Sequence, residues 1–139
     1  MRQLACNETL LLEVNPRDRL VSTGLRLQPG ERYNFSAGGS WLDWKTKCGP
    51  EGWRGGWKER FCRVPRQPFF LLCGAVGRDD RHTFPIGAGR QWEVPADVAE
   101  LDDYQLYLFA NDWPFMYFNN HPLGPDQGGP LWVNITRLA

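Results

Sequence analysis

At 139 residues the chain has room for one hydrophobic core and not for two. Sixteen Lys and Arg against sixteen Asp and Glu leave no net charge, and the basic positions are scattered, so nucleic acid and anionic membrane surfaces are not expected partners. Seven Trp, eight Phe and four Tyr, with fifteen Gly and eleven Pro to form turns, point to short extended segments.

Residues 10–14 and 20–27 read as strands, the second ending in the alternation Leu25-Arg26-Leu27 before the turn Gln28-Pro29-Gly30. Tyr33 and Phe35 then alternate around Asn34. From 45 to 68 the chain is rich in Gly, Pro and charge and is expected to be irregular surface structure, the kind of connection that carries function on a rigid β framework. The unbroken apolar run 69–76 suits a strand buried on both faces. A short strand is expected over 91–94. The segment 95–101 is either a helix of about two turns or a loop. A long strand over 104–110 places Leu106 and Leu108 on the face of Tyr104. In 131–136, Leu131, Val133 and Ile135 face one way and Trp132, Asn134 and Thr136 the other. Seven or eight such strands need two faces to bury their apolar sides, so the expected fold class is all-β: one domain over 1–139, a sandwich of two antiparallel sheets.

No apolar run approaches a membrane span, and the start, Met1-Arg2-Gln3-Leu4-Ala5-Cys6, lacks the core of a Sec signal peptide. The expectation is a soluble chain without membrane insertion, cytoplasmic or exported by a non-Sec route. None of Cys6, Cys48, Cys62 and Cys73 sits in a zinc-type pair. Cys48 and Cys62 bracket the loop 49–61 and could staple it, whereas Cys73 reads as a small buried hydrophobe. The adjacent carboxylates Asp79/Asp80 and Asp102/Asp103 read as solvated turns. His82 and His121 have no nucleophile or metal-ligand partner at a telling spacing. An enzyme is not expected.

The segment 109–120 carries the clearest chemistry. Asn111-Asp112-Trp113-Pro114 and Tyr117-Phe118-Asn119-Asn120 set one carboxylate and two adjacent amides around a Pro-containing loop free of Lys, His and Cys. Calcium takes six to eight oxygens from carboxylates, amide and main-chain carbonyls and water. This pattern resembles the calcium loop of the LecA-type (PA-IL-like) galactose-binding lectins. Ser36-Ala37-Gly38-Gly39-Ser40-Trp41, Cys48-Gly49-Pro50-Glu51-Gly52, Cys73-Gly74-Ala75-Val76 and Leu131-Trp132-Val133-Asn134-Ile135 follow in the family's order, so the likeness spans roughly residues 10–137.

The resemblance implies a jelly-roll, galactose-binding-domain-like sandwich with a Ca2+ ion held by the side chains of Asp112, Asn119 and Asn120 and the main-chain carbonyls of Met116 and Trp44. It implies a saccharide or glycoconjugate partner whose hydroxyls also touch Asp112, Asn119 and Asn120. In the family a second loop supplies a His and a Gln to galactose. The stretch 53–60 here holds no His, and Glu59 stands where the Gln would be, so galactose need not be the preferred sugar. Trp53 and Trp57 could stack on a sugar ring, with Trp113 as a third wall. The connection 121–130 is longer than the family's and reads as a lid or as a surface loop. Single-site affinity would be weak, so avidity would come from a homo-oligomer or a tethered array. The competing reading is a calcium-stabilised interaction module of a larger bacterial protein that binds no sugar.

Overall fold

A computed structural model describes residues 1–139. The chain forms twelve strands: β1 (Thr9–Glu13), β2 (Val21–Arg26), β3 (Arg32–Gly38), β4 (Trp41–Asp43), β5 (Thr46–Cys48), β6 (Glu51–Trp53), β7 (Phe69–Val76), β8 (Thr83–Pro85), β9 (Gly89–Glu93), β10 (Gln105–Ala110), β11 (Asn120–Pro122) and β12 (Trp132–Arg137). All pairings between them are antiparallel. One sheet runs β1-β12-β3-β9, a second β2-β10-β7-β6 with β8 also on β7, and a small third β11-β4-β5. No helix is long and apolar enough to cross a membrane.

The two larger sheets face each other across a core of 21 buried side chains. In β12 the alternation expected from sequence holds, with Val133 and Ile135 buried and paired beside Ala37 and Phe35 of β3. Strand β7 is buried along its whole length. Phe70, Leu72 and Val76 enter the sandwich, while Leu71, Cys73 and Ala75 join Tyr107 and Phe109 in a smaller cluster on the opposite face. That second cluster is roofed by the connection after β6, through Val64 and the Arg63 guanidinium, which lies 3.7 Å from the Phe109 ring centre. Each fully buried apolar side chain contributes roughly 1.5–3 kcal/mol, and these two faces hold β7 and β10 as a rigid platform.

Three differences from the sequence reading matter for function. The region 45–68 is more ordered than its composition suggests, because it contains β5, β6 and a 3-10 helix over Gly56–Phe61. The segment 95–101 forms a 3-10 helix over Ala96–Glu100. Cys48 and Cys62 are not a staple: all four cysteines are free thiols, and burial pushes Cys48 and Cys62 up to about 12.

The short β4-β5 hairpin is anchored by Trp41, which is fully buried, meets Phe70 edge-on at 5.4 Å and donates from Nε1 to the Gly49 carbonyl at 3.1 Å. Strand β6 lies against β7 so closely that a Cβ on Gly52, at φ +70°, would sit 2.1 Å from the Phe69 carbonyl oxygen. Only glycine fits there. Trp53 then stacks on Phe69 at 5.0 Å. These contacts bring the β4-β5 turn, the end of β6 and the segment after β10 to one end of the sandwich.

Candidate functional site

The segment following β10 is held from below by Asn111. Its side chain is fully buried, accepts from Val64 N–H at 2.9 Å and donates to the carbonyls of Val64 at 3.0 Å and Pro68 at 3.1 Å. Asn111 is thus a clamp between two loops. Next in sequence, Asp112 is 4% exposed, its Oδ1 accepts from Trp113 N–H at 2.7 Å, and its main-chain carbonyl accepts from Arg63 N–H at 3.0 Å. Its Oδ2 has no hydrogen-bond partner in the protein.

The same is true of two neighbours. Asn120 donates from Nδ2 to the Pro16 carbonyl at 3.0 Å, which fixes which way its amide is turned and leaves Oδ1 buried and unpartnered. Asn119 Oδ1 is buried and unpartnered as well. A buried acceptor without a donor costs about 1–3 kcal/mol, and native proteins keep few of them. Three of the four such side-chain atoms in this molecule fall on Asp112, Asn119 and Asn120. The fourth, His82 Nδ1, belongs to a residue beside Asp97, part of a different depression.

Asp112 and Asn119 open onto a cleft of about 330 Å³ lined also by Asp43, Trp44, Trp53, Lys58, Phe69, Trp113 and Met116. Trp44 and Lys45 form the two-residue turn of the β4-β5 hairpin, and Trp44 adopts φ +53°. Glycine is the usual residue at such a position, and a bulky residue there costs of order 1–3 kcal/mol and clusters at functional sites. Trp44 N–H donates to the Asn119 carbonyl at 3.1 Å, tying the hairpin to the loop. A larger depression of about 650 Å³ over Leu11, Leu12, Trp132 and Asn134 holds no unpartnered buried oxygen.

The electrostatics of the cleft are those of anions short of partners. Burial first, and the nearby negative charge of Asp43 second, raise Asp112 from 3.8 to about 7, against the Trp113 N–H and the Asn120 amide, which offset only part of the rise. Asp43 is also raised, by burial first, against a hydrogen bond from Trp53 Nε1 at 3.1 Å. No three His, Cys, Asp or Glu side chains come together anywhere in the molecule, this cleft included, where the acidic groups are the two carboxylates of Asp43 and Asp112. The donor set at this cleft is all oxygen, from carboxylate and amide, which suits a hard cation such as calcium and not a thiolate- or imidazole-seeking metal.

The structure brings Trp44, Trp53, Trp113, Met116, Asp112 and Asn119 to one cleft, while Asn120 is fully buried beside Asp112 and opposite Asp43 in the strand pairing and does not line it. It does not bring Trp57 or Glu59 there. Trp57 is 67% exposed and rests edge-on against Phe61. Glu59 is buried inside its own loop, where it accepts from Gly55 N–H at 2.8 Å and lies 3.5 Å from Arg54. The 3-10 turn is responsible: it directs Glu59 inward as a brace. None of residues 121–130 lines the cleft, so the long connection is a surface loop there and not a lid. Asp43 and Lys58 are the charged lining residues that sequence reasoning missed, beside Gly55 and Phe69. For Asp43 the available signal was a carboxylate directly before Trp44, a residue that the family resemblance assigns as a carbonyl ligand.

No family model matches the chain. No curated protein is significantly similar to it in sequence. Solved structures do resemble it. One is described as "EclA N-terminal domain; PllA-like lectin", with a TM-score of 0.62, 22% identity, and coverage of 91% of this chain and 94% of that one. At that identity the likeness establishes the fold: this chain is a β-sandwich built like a lectin domain.

Proposed function

We propose that the chain is a calcium-dependent carbohydrate-binding module, a lectin. The observation that carries this reading is the set of three buried, unpartnered oxygens on Asp112, Asn119 and Asn120 at one end of a sandwich shared with a lectin domain. Asp112 supplies the charge, Asn119 and Asn120 supply amide oxygens, and the main-chain carbonyls of Trp44 and Met116 are the remaining protein ligands assigned by the family resemblance. Calcium bound there would supply coordination positions at which vicinal sugar hydroxyls exchange for water. Trp53 and Trp113 give the cleft aromatic walls suited to the apolar face of a sugar ring.

Trp57 and Glu59 have no place in this sugar site. The absence of a His from 53–60 and the engagement of Glu59 in its own loop leave galactose as one saccharide among several to test. Affinity at a single site should be on the order of micromolar to millimolar.

The alternative is a calcium-stabilised interaction module. Phe115 and Phe118, 74% and 65% exposed within the same loop, favour it as a surface for a protein partner. A glycan array run in calcium and in chelator separates the two. Retention that requires calcium and is lost in Asp112→Ala supports the lectin. Retention of no glycan, with calcium still raising the Tm, leaves the interaction module, and hydrolysis of a chromogenic glycoside would mean catalysis instead. A ligand that binds only the folded state at a hundred times its Kd adds about 2.7 kcal/mol of stability. Millimolar calcium should therefore raise the Tm of the parent and not of Asp112→Ala, and magnesium should do much less. Equal Tm in calcium and chelator would overturn the ion assignment.

A further inference from the structure

Asp43 stands opposite Asn120 in the β4-β11 pairing. Directly opposed residues of an antiparallel pair project to the same side of the sheet. The backbone therefore places a second carboxylate beside the buried amide of Asn120, and Asp43 lines the cleft together with Asp112 and Asn119. One of its oxygens accepts from Trp53 Nε1 at 3.1 Å, and the other has no hydrogen bond within the protein.

Two carboxylates in one half-enclosed cleft repel each other, and low polarity around them strengthens the repulsion. Proteins normally relieve such pairs with a guanidinium or ammonium group. Here neither Asp43 nor Asp112 takes part in any ion pair of the structure, although Lys58 lines the same cleft. The unpartnered oxygens of Asp112 and Asn120, both more than nine-tenths buried, independently mark this point as one that receives a ligand from outside.

We propose that Asp43 is a second carboxylate of the cation site, so that this chain binds its ion with two formal negative charges in place of the single one its loop motif provides. This rests on the calcium reading and adds to it a residue the motif does not contain. A two-carboxylate shell binds calcium more tightly and favours ions of higher charge, with trivalent lanthanides gaining most.

The test uses the full chain with calcium and terbium as probes. Terbium luminescence sensitised by the cleft tryptophans gives its affinity, and calcium competition gives the second. In Asp43→Asn, an isosteric change, calcium affinity is expected to fall about tenfold, equivalent to about 1.4 kcal/mol, with a larger fall for terbium. The same variant should have a higher Tm than the parent in chelator, because repulsion is relieved, and a smaller gain on adding calcium. A merely structural role for Asp43, as a partner of Trp53, would lower the Tm in both conditions. Unchanged ion affinities in Asp43→Asn, with Asp112→Ala abolishing binding, would overturn the role of Asp43 and leave the calcium site standing. Absence of ion binding in the parent would overturn both.

Discussion

Two buried polar clusters hang from the same stretch of chain between Ala110 and Asn120, and they are built in opposite ways. In the first, the side chain of Arg63 is fully buried and every one of its nitrogens is hydrogen-bonded. It donates from Nε and Nη2 to the Asp80 carboxylate, with Nη2 at 2.9 Å, and from Nη1 to the Arg19 carbonyl at 2.6 Å and the Tyr117 hydroxyl at 2.9 Å, while its face covers Phe109. Burial opposes its charge, and Asp80 and Tyr117 more than restore it. In the second cluster, Asp112, Asn119 and Asn120 each keep an oxygen with no donor. A fold tolerates buried polarity when it contains both partners. The Arg63 cluster does so and is a strut; the Asp112 cluster holds one half of its interactions and is a receptacle. The Arg63 N–H bond to the Asp112 carbonyl joins the two, so the strut holds the receptacle in place.

The largest effect that would test this contrast is on the strut. Arg63→Ala leaves the Asp80 carboxylate without its main partner and strips the cover from Phe109, and truncating one side of a buried pair typically costs about 3–5 kcal/mol. Urea denaturation with the metal chelated measures it. A loss under about 1 kcal/mol would show that the cluster is not structural and would erase the distinction.

The receptacle should respond to pH with the opposite sign from an ordinary paired carboxylate. Asp112 rises from 3.8 to about 7 on folding, so between those values the folded state holds more protons than the unfolded one. In chelator this group's contribution to stability is greatest at and below about pH 4 and declines as pH rises towards 7. Denaturation midpoints across that window check it, with Asp112→Asn flattening the dependence. In calcium the ionised form is the useful one, so calcium affinity should fall as pH drops below about 7. A chelated parent that grows more stable between pH 4 and 7, with that rise abolished in Asp112→Asn, would mean that Asp112 has an internal partner after all.

The smallest effect sharpens the boundary of the cleft. Trp57→Ala changes an exposed indole that touches Phe61 and not the cleft, so its stability should change by about 0.5 kcal/mol or less, and the rise in Tm expected of the parent in calcium should be the same in the variant. A large loss of calcium-dependent stabilisation in this variant would extend the site beyond the residues described.

The two-sheet architecture is legible in the sequence wherever side-chain period and burial agree, as in the continuous run 69–76 and the alternation of Leu131, Val133 and Ile135. Asp112, Asn119 and Asn120 are legible because their unpartnered atoms are side-chain oxygens at short spacing in one segment. The β4-β5 hairpin is not, because its turn is made by Trp44 in a conformation that sequences normally signal with Gly or Asn. Asp43 is hidden for a related reason: its proximity to Asn120 arises from pairing across more than seventy residues, which no local pattern reports. Glu59 is assigned to the sugar site by the family resemblance and Trp57 by the stacking surface of an indole, and neither signal reports where a side chain of this loop is aimed. The 3-10 turn rotates successive side chains by about a third of a circle and sends Glu59 inward.

The Asn111 clamp has a consequence for how such a protein can be re-engineered. Trp53 stacked on Phe69 fixes the entrance of the 54–61 segment, and the Asn111 bonds to Val64 and Pro68 fix its exit. The 54–61 segment between these two posts contributes only Gly55 and Lys58 to the cleft. Within it the Lys58 carbonyl accepts from Trp113 Nε1 at 3.0 Å and a Cβ on Gly55 would meet the Phe69 ring, so the positions open to exchange on an unchanged frame are the exposed ones, Arg54, Trp57 and Arg60.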